Sequence, residues 1–110
     1  MRQAVTPLTE TAEGCYPLPM ETHFVYILRC GDGSLYTGWT CDLAARIKAH
    51  AQGRGAKYTK SHLPIALVYY ETFAEKGAAL SREIAIKKMV KDKKETLIRG
   101  FRVPKKYRGE

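Results

Sequence analysis

The chain has 110 residues, 19 lysines and arginines against 11 acidic residues, a net charge of +8 and a hydrophobic fraction of 45%. A chain of this size builds one core and cannot enclose a large cofactor, so any chemistry is expected on an open face. No run approaches the roughly 18 apolar residues of a membrane span, and the N-terminus lacks the basic start and apolar stretch of a secretion signal; a cytoplasmic location is expected.

Cys15, Cys30 and Cys41 are odd in number and form no CxxC or Cys/His cluster. Three reduced thiols are therefore expected rather than a disulfide framework or a zinc site. The charge is unevenly spread. Met1 to Thr22 carries a net −2, residues 23–110 a net +10, and the last 26 residues alone a net +7. Phosphate backbones are the commonest partner of such a field, acidic lipid a second, and a solvated lysine-rich helix produces the same composition with no partner.

Residues 1–22 hold Pro7, Pro17 and Pro19 without apolar periodicity, and read as a disordered or loosely docked extension, with Met20 an alternative start. His23 to Cys30 and Leu35 to Trp39 are rich in β-branched and aromatic residues and flank Gly31-Asp32-Gly33-Ser34, a hairpin pattern. Asp42 is placed to cap a helix from Leu43 to about Gln52, ended by Gly53 and Gly55. A loop follows to Pro64. Ile65 to Phe73 reads as a third strand, apolar enough at its start to be the sheet's centre. Next come a helix from about Glu75 to Lys91 and a short one opened by an Asp92-x-x-Glu95 capping box and closed by Gly100. The basic tail, residues 101–110, is expected to fray. The order is ββαβαα, an α/β chain of the α+β sandwich type: a small three-stranded sheet flanked by helices, with one domain over residues 23–100.

If the hairpin is symmetric about Asp32, Leu28 opposes Tyr36 and Tyr26 opposes Gly38, which puts both tyrosines on one face as diagonal neighbours. Gly38 then leaves backbone open beside them, to a ligand or to ordinary packing. Arg46 and His50, at i and i+4, share one side of the first helix. They suit phosphate binding and proton relay, although two solvated surface residues would show the same spacing. Glu83 occupies the i+4 position of an apolar stripe formed by Ala79, Ile86 and Val90. A carboxylate there needs a partner, either Lys87 one turn on or a divalent cation. Trp39, Cys41, Tyr58 and His62 read as packing or surface residues.

With Val25-Tyr26, Tyr36-Thr37-Gly38, Leu43-x-x-Arg46-x-x-x-His50 and Arg82-Glu83 in this order, the chain resembles the GIY-YIG nuclease family, above all its short stand-alone bacterial members of undefined role. The likeness runs from about His23 to Arg99. It departs in Phe24-Val25-Tyr26 for Gly-Ile-Tyr and Tyr36-Thr37-Gly38 for Tyr-Ile-Gly. The resemblance implies that Tyr26, Tyr36, Arg46 and Glu83 are catalytic, that His50 is an optional member of the site, and that Glu83 binds one Mg²⁺ or Mn²⁺. It implies hydrolysis of phosphodiester bonds in DNA, with RNA left open, by a metal-dependent endonuclease, with structure selectivity one option for its choice of substrate. Lys57, Lys60 and Lys87 are assigned to nucleic-acid binding. A nucleic-acid-binding protein with a silent or auxiliary nuclease site, or a basic domain docking on a larger protein, are the alternatives; a core-facing carboxylate that repels phosphate argues against a pure binding module.

The charge distribution and the lack of a base-reading motif predict binding dominated by backbone electrostatics. Affinity for unrelated DNA duplexes should be similar and should fall at least tenfold between about 50 and 200 mM salt, read by fluorescence anisotropy.

Overall fold

The computed structural model describes residues 22–107. The extension expected over residues 1–22 lies, apart from Thr22, outside the described residues, as do the alternative start at Met20, Cys15 and the last three residues of the tail. The elements are β1 (His23–Arg29), β2 (Leu35–Thr40), α1 (Leu43–Ala51), α2 (Lys57–Lys60), β3 (Ala66–Phe73), α3 (Lys76–Lys87) and α4 (Lys91–Arg99), followed by a 3₁₀ turn at Lys105–Tyr107. The chain is therefore an α+β fold with the expected ββαβαα order, plus one short helix inside the segment read as a loop. No helix among the described residues is long and apolar enough to cross a membrane.

The hairpin has the expected register, with Leu28 opposite Tyr36 and Tyr26 opposite Gly38. Its turn is tied by Asp32, whose Oδ1 accepts from the backbone N–H of Ser34 at 3.0 Å and from its hydroxyl at 2.6 Å, while Gly33 takes a φ of +87° that a side chain would resist. The sheet order is β2-β1-β3, both pairings antiparallel. β3 is thus an edge strand and β1 the centre. The physical reason lies in β1 itself: from Val25 to Leu28 every residue is buried, whereas only Leu67 is buried in β3.

Alternation along β1 divides the core into two layers. Val25 and Ile27 pack with Ala79 and Ile86 of α3, joined by Trp39, Met89, Leu97 and Ile98; Tyr26 and Leu28 face the opposite way, onto Leu43 of α1 and Leu67. The sheet is therefore covered on both faces. α1 begins where Asp42 Oδ1 accepts from Ala45 N–H at 3.1 Å, and the chain leaves it through Gly53 at φ +77°.

Several expectations need correction. The helix read as continuous to Lys91 stops at Lys87, where Met89 N–H bonds to Ile86 C=O in a tighter turn. Val90 accordingly drops out of the apolar stripe and is exposed, and Met89 packs in its place. The Asp92 capping box does not form. Val90 holds the cap position of α4, and Glu95 instead takes a bidentate ion pair with Arg29 of β1, at 2.7 and 2.8 Å. The tail is packed as far as Tyr107 because its aromatic residues find partners: Phe101 lies edge-on to Tyr69 and Tyr70, and Tyr107 edge-on to Tyr70. Cys30 is a buried free thiol, as expected. Cys41, half-exposed at the turn into α1, is disulfide-bonded, which corrects the reduced thiol expected there.

Ile86 has no exposed surface and links α3 to the sheet. Ile86→Ala should lower unfolding free energy by about 2–4 kcal/mol, seen as a reduced urea midpoint with little change in slope.

Candidate active site

Tyr26 sits on the central strand, and its ring extends across β2 at the one position without a side chain. A Cβ on Gly38 would lie 2.5 Å from the Tyr26 hydroxyl. The phenol thereby reaches α1, where its oxygen is 2.9 Å from His50 Nε2 and 3.4 Å from Arg46 Nε. Arg46 Nη2 also donates to the Gly55 carbonyl at 2.7 Å. Both helix residues are buried, Arg46 at 8% exposure and His50 at 0%, so the solvated reading of this i, i+4 pair is excluded. Gly55 is the second opening the site requires, because a Cβ there would collide with the His50 ring.

The bonds form a chain with one direction. Thr59 Oγ1 donates to the Ala56 carbonyl at 3.1 Å, since a carbonyl can only accept. The 2.8 Å bond between Thr59 Oγ1 and His50 Nδ1 must then be donated by the ring, which leaves Nε2 as the acceptor for the Tyr26 hydroxyl. Arg46, a donor only, approaches the phenol oxygen from the other side. Burial pushes His50 down to about 4, with the Arg46 charge acting in the same direction. Burial also raises the Tyr26 phenol well above its ordinary value; Arg46 opposes this by hydrogen bond and charge, and Tyr36 and Glu83 reinforce it. At neutral pH the pair is therefore phenol and neutral imidazole. Glu83, on the helix across the sheet, is near enough for its charge to be felt at the phenol.

Tyr36 brings its ring to 5.3 Å from His50 and stacks at 6.2 Å on Tyr58 of α2, which in turn stacks at 4.1 Å on His62. Beside it, along the open edge of β2, lies a cleft of about 360 Å³ lined by Leu35, Tyr36, Thr37, Tyr58, Lys87 and Lys94. Lys87 also pairs with Glu83 at 3.2 Å; the lysine side chain is 53% exposed and the glutamate 17%.

A GIY-YIG catalytic domain matches residues 22–96. The chain belongs to the GIY-YIG family. It is 51% identical over 80 residues to a UPF0213 protein of Staphylococcus aureus, spanning 73% of this chain and 98% of that one. Among solved structures, a UPF0213 protein of Bacillus halodurans is 47% identical with a TM-score of 0.48, and a protein of E. faecalis is 35% identical with a TM-score of 0.51; each alignment covers 71% of this chain and 83% of the other. The family is one of nuclease-type domains, with nucleic acid as the substrate class.

Within this GIY-YIG domain the structure brings Tyr26, Tyr36, Arg46 and His50 into one cluster around the His50 ring. Glu83 is on α3, which packs against the other sheet face, and reaches the cluster through its charge at the Tyr26 phenol. Lys57 and Lys60 are exposed at the two ends of α2, and only Lys87 of the three assigned lysines lines the cleft. Among the described residues no group of three or more His, Cys, Asp or Glu side chains could hold a metal ion. Thr59, Tyr58 and the Gly55 carbonyl were missed from the sequence. All three lie in Gly55-Ala56-Lys57-Tyr58-Thr59-Lys60, a stretch read from the sequence as part of a loop and lying within the residues matched by the family.

The His50 shift fixes a pH dependence. Its folded value lies below the unfolded 6.5, so between about 4 and 6.5 the unfolded chain binds more protons. Stability from this group is complete above 6.5 and is lost as pH falls towards 4. Urea unfolding across this range should show the decline, and His50→Gln should flatten it.

Proposed function

We propose that this protein is a divalent-metal-dependent endonuclease that hydrolyses phosphodiester bonds in DNA. The observation supporting this most is the buried, one-directional chain from Arg46 through Tyr26 and His50 to Thr59, which makes a phenol both a proton acceptor from water and a donor to imidazole. A purely structural tyrosine does not need two glycines cleared around it and its partner.

In this reading Tyr26 Oη takes a proton from the attacking water while its own proton moves to His50 Nε2, and His50 keeps its Nδ1 proton on Thr59. A histidine held near 4 is a poor base at rest. The transfer proceeds as negative charge gathers on the phosphate, which favours the imidazolium, and Arg46 beside the phenol stabilises that charge. Tyr36, at the cleft, orients the phosphate.

Glu83 would hold the metal. A hard, largely hydrated cation takes one or two protein carboxylates and completes its shell with water and phosphate oxygens, which suits a lone carboxylate whose present partner is a half-exposed, displaceable lysine. When bound, the ion supplies Lewis-acid stabilisation of the phosphate oxygens. Lys57, Lys60 and Lys87 contribute backbone charge, consistent with the net +10 of residues 23–110.

Incubation of the protein with duplex, single-stranded and branched DNA, with and without Mg²⁺ or Mn²⁺, tests the proposal. Cleavage should require metal, fall by about 10²–10⁴ in Tyr26→Phe, and vanish in Glu83→Ala. Glu83→Ala should change stability by no more than about 1 kcal/mol, because the Lys87 ammonium it leaves behind is solvated. Absence of metal-dependent cleavage on every substrate would replace this reading with that of a nucleic-acid binder with a silent site.

A further inference from the structure

Two donors border the cleft along β2 without an acceptor. Thr37 is 4% exposed, and its Oγ1 has no hydrogen-bond partner. Lys94 is half-buried and lines the cleft, and among the described residues its ammonium has no ion pair or hydrogen bond. A buried hydroxyl left unpaired costs about 1–3 kcal/mol, so its retention calls for a compensating ligand. An isosteric valine would suit a β-strand at least as well. The unfilled space that Thr37 borders is this cleft, whose other charged wall residue, Lys87, is already paired with Glu83.

We propose that Thr37 and Lys94 form a subsite for one phosphodiester group of the nucleic-acid backbone, the hydroxyl and the ammonium donating to its non-bridging oxygens. Donors alone, with no unpaired carboxylate facing them, select an anion over a cation. The site lies beside Tyr36, so the phosphate it holds is a near neighbour of the one presented to Tyr26, and it fixes the register of the strand in the cleft. This rests on the nuclease reading for its purpose, while its binding chemistry stands apart from cleavage.

The test uses the full chain and a fluorescein-labelled forked DNA duplex in EDTA, so that binding is read without metal or cleavage. Thr37→Val should weaken binding about tenfold and Thr37→Ser should restore it to within about twofold. Lys94→Gln should weaken it about tenfold, more than Lys93→Gln, an exposed lysine one position away that serves as the charge control. The Thr37→Val/Lys94→Gln double variant should lose less than the product of the single losses, because both donors serve one group. Thr37→Val should melt at the wild-type temperature or above it, since it removes an unpaired buried hydroxyl. Wild-type affinity in Thr37→Val, or equal losses in Lys94→Gln and Lys93→Gln, would overturn the proposal even if the protein cleaves DNA. Conversely, the predicted binding losses in a protein that cleaves nothing would uphold the subsite and remove the nuclease reading.

Discussion

The site depends on a phenol that has been taken out of water and must still be satisfied. Tyr26 belongs to the central strand, where burial is nearly complete, and its hydroxyl can reach a partner only by crossing β2. Gly38 makes that crossing possible. His50 then has to meet the phenol, and to be buried itself it needs a second partner, which Thr59 supplies, and room, which Gly55 supplies. Removing any of these would leave a polar atom unpaired in the core, so the hairpin, α1 and α2 are held in register by one chain of hydrogen bonds.

The opposite face of the sheet is built differently. There the contacts between strands and helices are mainly apolar, around Val25, Ile27, Ala79 and Ile86, and the charged residues are gathered in compact pairs at the rim. Arg82 holds Glu71 through three hydrogen bonds, and Tyr69 donates to the same carboxylate. For Glu71, burial pushes the carboxyl up, but the bonds from Arg82 and Tyr69 outweigh it and the net shift is downward. Glu83, the residue after Arg82 on α3, differs in having only a half-exposed lysine against it. Glu71 is thus held by two partners, and Glu83 by one whose side chain is 53% exposed.

Electrostatics join the two faces across the β2 edge. Glu83 raises the energy of the phenolate at Tyr26 when it is unneutralised, and Arg46 lowers it. In the proposed nuclease reading, a cation at Glu83 would cancel the unfavourable contribution and leave the favourable one. The site is thus a phenol beside a neutral imidazole, its phenolate favoured by Arg46 and disfavoured by Glu83.

The sequence by itself determined several features that follow from short-range pattern: the hairpin register, hence the shared face of Tyr26 and Tyr36; the helix cap at Asp42; the odd placement of Glu83 between Ala79 and Ile86. These depend on strand period, helix period and turn chemistry, all local. It could not place β1 at the sheet's centre, because β3's apolar start looks the same on an edge packed against a tail as in an interior. Nor could it tell that Glu95 would pair with Arg29, 66 residues away, rather than cap its own helix. Arg46 and His50 show the boundary most plainly. Their spacing fixed that they share a side of α1, but whether that side meets water or a phenol depends on which strand α1 covers. Only the tertiary structure decided that, by bringing Gly38 of β2 and, from the segment after α1, Gly55 and Thr59 around them.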